Sequence, residues 1–156
     1  MDRVKAPTRV VVRHMVADDV ERVAEIEREA FTSPWEADTF RTLLKRPGAE
    51  LWVMEDPPSG VFAYAVVWCI LDQGELANIA VEASHRGKGH GARLLRKVMD
   101  VARARGVESL YLEVRVSNTR AADLYRSFGF TQVGIRKRYY DAPTEDALLM
   151  VARLGE

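Results

Sequence analysis

One cysteine and three histidines among 156 residues leave little from which to assemble a disulfide or a metal centre. Cys69 has no partner within the chain, and His14, His85 and His90 are not set at ligand spacing, so no metal is expected. An excess of charge is also missing. Lys plus Arg and Asp plus Glu number 23 each, which removes the electrostatic drive for bulk binding to nucleic acid or an anionic membrane. No apolar run reaches the roughly 18–20 residues that cross a bilayer, and the polar, basic stretch Met1 to Thr8 lacks the apolar core of a secretory signal. Repeats, low-complexity tracts and dividing linkers are absent too. What remains is a cytoplasmic enzyme or binding protein. Residues 1–7 are expected to be a flexible N-terminus and residues 8–156 a single domain, monomeric or weakly dimeric, long enough to bury roughly two-thirds of its unfolded surface.

What is present has a regular order. Arg9 to Arg13 is a β-branched run, the mark of an edge strand. Asp18 or Asp19 is placed to cap a helix with Val20, Val23, Ala24, Ile26 and Ala30 on its apolar stripe; Ser33-Pro34 breaks it, and Trp35 to Lys45 forms a second. Leu51 to Met54 and Val61 to Leu71 flank a Pro- and Gly-rich turn and predict a hairpin, with Glu75 to Val81 as the next strand. Ala92 to Ala102 is amphipathic and ends at Gly106. Leu110 to Val116 alternates as a strand, Asn118 caps a helix closed by Gly129, and strands follow near Phe130 to Arg136 and Ala147 to Arg153. The order β-α-α-β-β-β-α-β-α-β-β describes a mixed α/β fold with one sheet flanked by helices.

The most informative stretch is Arg86-Gly87-Lys88-Gly89-His90-Gly91-Ala92, between a strand and a helix. Glycines there free the backbone, and the start of a helix aims unpaired N–H groups and a positive dipole end at one spot, a phosphate cradle. Arg86, Lys88 and Arg93 add positive charge. Gly87-x-Gly89-x-x-Ala92, with Glu113 about 20 residues on, also fits a dinucleotide-binding fingerprint. Three features oppose that alternative. Glu82 to Arg86 separate the strand from the first glycine, the loop is strongly cationic, and only 43 residues follow Glu113. A Walker loop is excluded, since no Gly-Lys-Ser or Gly-Lys-Thr occurs. A ligand-free surface turn is the bland alternative.

Arg86 to Gly91 after Asn78-Ile79-Ala80-Val81 resembles the acetyl-CoA signature of the GNAT superfamily of N-acetyltransferases. Leu112-Glu113-Val114-Arg115-Val116-Ser117-Asn118 and Ala122 to Phe130 are similar to the second half of that fold. Pro34-Trp35, Tyr139-Tyr140 and Glu145-Asp146-Ala147 narrow the resemblance to the branch that acetylates ribosomal-protein alanines. The resemblance implies a mostly antiparallel, twisted sheet of about 6–7 strands with about 4 helices. It also implies acetyl-CoA as co-substrate without a metal, and the N-terminal alanine of a small-subunit ribosomal protein as acceptor. Other N-termini, lysine or a small amine are alternative acceptors, and a non-catalytic CoA-binding or ribosome-assembly module is the alternative of another class.

Roles carried over by the resemblance fall on matching positions. Glu113 is the base, against a strand carboxylate that is solvated or salt-bridged, with Arg115 as one partner, as its ordinary reading. Tyr125 protonates the departing thiolate, against simple helix packing. Ile79, Ala80 and Val81 line the pantetheine arm, one N–H polarising the thioester carbonyl, while Arg86, Gly87, Lys88, Gly89, His90, Gly91 and Ala92 hold the phosphates. His90 stands where the family more often has an apolar residue. Asn118 is an N-cap by local physics and a cofactor contact by resemblance. Trp35, Tyr139 and Tyr140 are candidates for the peptide pocket, each with an ordinary packing role as its rival.

Overall fold

The structure, a computed structural model, describes residues 9–155. The expected flexible segment, residues 1–7, lies outside the described residues. The elements are β1 (Val11–His14), α1 (Val20–Ala30), α2 (Ala37–Leu44), β2 (Ala49–Asp56), β3 (Gly60–Ile70), β4 (Gln73–Val81), α3 (His90–Ala104), β5 (Ser109–Arg115), α4 (Thr119–Ser127), β6 (Thr131–Tyr140) and β7 (Glu145–Arg153). The seven strands form one sheet in the order β1-β2-β3-β4-β5-β7-β6. Every pairing is antiparallel except β4 with β5.

Hydrophobic alternation decides which helices cover which face. Phe62, Leu76, Leu110, Leu112 and Met150 point to one side, where Leu94, Leu95 and Val98 of α3 and Ala122 and Tyr125 of α4 close over them. Val53, Tyr64, Val66 and Ala80 point to the other and meet Val20, Val23 and Ile26 of α1 and Phe40 of α2. The sheet is thus the middle of three layers.

The start of α1 departs from the expected cap. Neither Asp18 nor Asp19 caps it with a side chain. Residues Ala17–Asp19 form a 3₁₀ turn, and Asp19 reaches back to the Val16 N–H at 2.8 Å while receiving both terminal nitrogens of Arg13 at 2.8 and 2.9 Å. Burial opposes its charge, but these donors outweigh that and hold the Asp19 carboxyl below the usual range. The second helix begins at Ala37 rather than Trp35. Trp35 instead stays in the α1–α2 loop, where its N–H bonds to Glu27. Asn118 does cap α4, accepting the Ala121 N–H at 3.2 Å.

Two irregularities position the functional region. Between β3 and β4, Val66 pairs with Asn78 and Val67 with Leu76, leaving Ala77 as a bulge. Ala77 and Asn78 therefore both face α1, instead of alternating. The parallel β4–β5 ladder, for its part, spans only Gln73 to Glu75 against Ser109 to Tyr111. Beyond Glu75 the strands part, and the upper half of each leaves one backbone edge unpaired in the middle of the sheet.

Candidate active site

The parting of β4 and β5 opens a cleft of about 780 Å³. Leu76 to Ile79 form one wall, Leu112 to Arg115 the other, and Asn118 and Tyr125 of α4 close the α3–α4 side. Trp35 from the α1–α2 loop and Tyr139 and Tyr140 from the end of β6 close the other side. Seven of the residues singled out from sequence, Trp35, Ile79, Glu113, Asn118, Tyr125, Tyr139 and Tyr140, meet here, although 90 positions separate Trp35 from Tyr125.

Gly87 and Gly89 adopt φ values of +77° and +83°, which L side chains seldom take. Gly89 is the residue from which α3 starts, and Arg93 N–H is bonded to its carbonyl at 3.1 Å. The amides of His90, Gly91 and Ala92 thus precede the helical ladder and are free to meet an anion. The cationic side chains are less uniform than the sequence suggested. Arg86 donates to the Val81 carbonyl at 2.9 Å and so pins the loop to the end of β4, and Arg93 donates to the Val10 carbonyl at 3.0 Å. His90 packs edge-on against Phe62 at 4.8 Å. Burial, then the nearby His85, Lys88 and Arg93, lowers its pKa, so it stays neutral at physiological pH and fills an apolar position.

Glu113 enters the cleft from the centre of the sheet. Its side chain is 11% exposed, and Oε1 is 3.5 Å from Arg136 Nε of β6. Oε2 is buried and has no hydrogen-bond partner among the described residues. A buried carboxylate oxygen without a donor is costly in a finished fold and is the arrangement expected where a substrate N–H belongs. The rival reading, a salt bridge with Arg115, does not occur. Arg115 instead joins two loops: it donates to Thr32 Oγ1 at 2.8 Å, the Asp141 carbonyl at 2.9 Å and the Pro143 carbonyl at 3.1 Å, and pairs with Glu145. Its guanidinium also lies 4.4 Å from the Tyr140 ring centre.

Tyr125 is buried against Phe130, with its hydroxyl on the cleft. Burial alone pushes its pKa up to about 12, so the phenol stays protonated. Tyr139 and Tyr140 pack edge to face at 5.0 Å; burial and then the Glu113 carboxylate raise both pKa values.

Glu27, Glu75 and Arg136 are site residues that sequence reasoning missed. Glu27 lies on the apolar stripe of α1 and is 1% exposed. It accepts the Trp35 N–H and the Asn78 amide, each at 2.8 Å, and the Tyr64 hydroxyl. One carboxylate thereby ties the α1–α2 loop, the bulged part of β4 and β3 together at the floor of the cleft. A charged residue at a helix position flanked by Val23 and Ile26 was the available signal.

The GNAT acetyltransferase family model matches residues 20–130, most of this chain. The chain belongs to the GNAT acetyltransferase family. This acetyltransferase is 36% identical to the ribosomal protein bS18-alanine N-acetyltransferase of Haemophilus ducreyi, over 92% of its own length and all of the relative's. The crystal structure of the ribosomal-protein-S18-alanine N-acetyltransferase from Escherichia coli superimposes with a TM-score of 0.88 at 31% identity, covering 95% of this chain and 96% of that one. The Arabidopsis thaliana NAA60 complex with acetyl-CoA shares the fold, with a TM-score of 0.85 at 18% identity over 93% of this chain and 98% of the other. The expected mostly antiparallel GNAT sheet with four helices is the one observed.

Proposed function

We infer that this enzyme acetylates the α-amine of a protein N-terminus, an N-terminal alanine of a small-subunit ribosomal protein, with acetyl-CoA as donor. The acceptor is inferred from the names carried by its relatives. Acting on ribosomal proteins, it works in the cytoplasm. The observation that carries the chemistry is the cleft itself: Glu113, with one carboxylate oxygen that has no donor among the described residues, and the protonated phenol Tyr125 both line a gap between two unpaired strand edges.

The residues present fit acetyl-CoA. The positive-φ glycines and free amides at the start of α3 form an anion cradle, and the unpaired edge of β4 offers main-chain groups to an extended amide-bearing arm. When bound, acetyl-CoA supplies the acetyl group as an activated thioester. Lys88 and the amides of His90, Gly91 and Ala92 hold its phosphates, while Ile79, Ala80 and Val81 and the Asn118 side chain hold the arm. Glu113 accepts a proton from the acceptor nitrogen at its carboxylate. Tyr125 keeps a proton at Oη for the leaving sulfur, and the desolvation that raises its pKa raises a thiol's in the same surroundings. Trp35, Tyr139 and Tyr140 enclose the acceptor's first residue, with Arg115 holding the loops that carry them.

Steady-state acetylation of peptides beginning with alanine, other residues or an internal lysine tests this reading. Glu113→Gln and Tyr125→Phe are each expected to lower kcat by about 10²–10⁴-fold with acetyl-CoA affinity unchanged. Unchanged turnover in both, or preference for a lysine side chain, would overturn it.

A further inference from the structure

Glu75 on β4 sits in register between Trp68 of β3 and Tyr111 of β5. On the α1–α2 face of this row an open groove of about 470 Å³ runs beneath α2. It shares Trp35, Glu75 and Ala77 with the active-site cleft, so the two are continuous. The bulge turns Ala77 toward α1, and a methyl group rather than a larger side chain borders the junction there. Trp68, and Arg46 just past the end of α2, line the groove but not the cleft.

The lining of this groove is mostly apolar. Leu43, Val66 and Ala77 join the two indoles, and Thr39 and Thr42 of α2 add side chains that each carry a methyl group. Trp68 is only half-buried, although an indole is among the largest apolar surfaces a fold can cover. The Arg46 guanidinium lies 5.6 Å from the Trp68 ring centre and so steadies the indole from one side. Glu75 and Arg46 contribute one charge of each sign. The groove therefore selects by apolar contact and shape rather than by net charge.

Its distance from the chemistry follows from sheet geometry. Neighbouring strands lie about 4.8 Å apart and residues advance about 3.3 Å along a strand. Trp68 is two strands over from Glu113 and two residues along, hence about 12 Å away in the plane of the sheet. An extended acceptor advances about 3.3–3.6 Å per residue, so with its α-amine beside Glu113 its third residue comes within a side chain's length of Trp68. We propose that the groove binds a large apolar side chain, above all an aromatic one, at the third residue of the acceptor, and that Trp68 is the residue that selects it. The acceptor's first residue stays in the cleft, and its chain leaves past Trp35 and Ala77. The assignment rests on the α-amine acetyltransferase reading above.

The test is kcat/KM at saturating acetyl-CoA for two alanine-first peptides that differ only in phenylalanine or glycine at the third residue. The ratio is taken within each enzyme, so any loss of folded protein cancels. Covering about half of a phenylalanine side chain is expected to favour that peptide about tenfold in the wild type, in KM rather than kcat because the groove is remote from the reacting atoms. In Trp68→Ala the ratio should fall to about twofold or less, and Trp68→Phe should keep most of it. A wild-type ratio near one, or an undiminished ratio in Trp68→Ala, overturns the proposal while leaving the acetyltransferase reading intact. A ratio near one together with a dimer that Trp68→Ala dissociates in sedimentation assigns the groove to a second copy of the chain and overturns it as well. A wild type that acetylates no α-amine overturns both readings.

Discussion

Replacing Glu27 is the sharpest test of how the cleft is held open. Its Oε1 serves the Tyr64 hydroxyl and the Asn78 amide, and its Oε2 serves the Trp35 N–H. In Glu27→Gln one oxygen remains, able to keep the Tyr64 and Asn78 pair, while the new amide faces the Trp35 N–H as donor against donor. One lost bond of this kind costs about 1–3 kcal/mol, partly offset because a buried charge disappears. In Glu27→Leu all three donors lose their acceptor. Trp35 and Asn78 border the cleft and regain water, but Tyr64 is 0% exposed and cannot. The expected loss for leucine is about 3–5 kcal/mol, a large share of the roughly 5–15 kcal/mol that keeps a domain folded. At about 2–4 °C per kcal/mol this is a fall in Tm on the order of 6–20 °C. Urea denaturation followed by tryptophan fluorescence measures it, with the m-value checking that only stability changed. A leucine variant within about 1 kcal/mol of the wild type, or more stable than the glutamine variant, would refute the reasoning, because the three donors would then not depend on the carboxylate.

Gly89→Ala meets no atom within 4 Å, so only its φ of +83° resists the side chain; a stability loss of about 1–2 kcal/mol by denaturation is expected, together with weaker acetyl-CoA binding by calorimetry. Asp19 has a depressed folded pKa, so its contribution is complete above the unfolded value near 3.8 and disappears as pH falls through the folded one. Asp19→Asn should therefore flatten the dependence of Tm on pH below about 4, and a wild-type slope in the variant would contradict the Arg13 pairing.

Much of the fold was legible because local signals agreed with tertiary demand. The alternation in Leu110 to Val116 carried its strand into the observed β5, Asn118 caps as a short polar side chain does, and the helix after the glycines keeps one apolar stripe. The two unusual glycines mark positive φ, a backbone property that glycine reports directly. Local rules failed at Asp19 and Trp35. Asp19 has a better partner in Arg13, six residues back, and Trp35 has one in Glu27, so Asp19 precedes α1 without capping it through its side chain and Trp35 stays outside α2. The rival reading of Glu113 as paired with Arg115 fails for the same reason: the two share one strand face, but loops brought in from Thr32 and Asp141 offer Arg115 more acceptors.

Residue order alone thus carried the order of elements, the two apolar faces and the glycine-rich loop, since these depend on backbone propensity and side-chain period, while Glu113 and Tyr125 became candidates only through the family resemblance of the stretches that hold them. The three-dimensional packing decided where those candidates meet. The bulge at Ala77 and the end of the β4–β5 ladder at Glu75 follow from how a sheet accommodates one extra residue and one parallel pair, and no local pattern announces them. They open the gap, leave Glu113 Oε2 without a donor, and bring Glu75, Arg136 and Glu27 to a site that none of them marks in the chain.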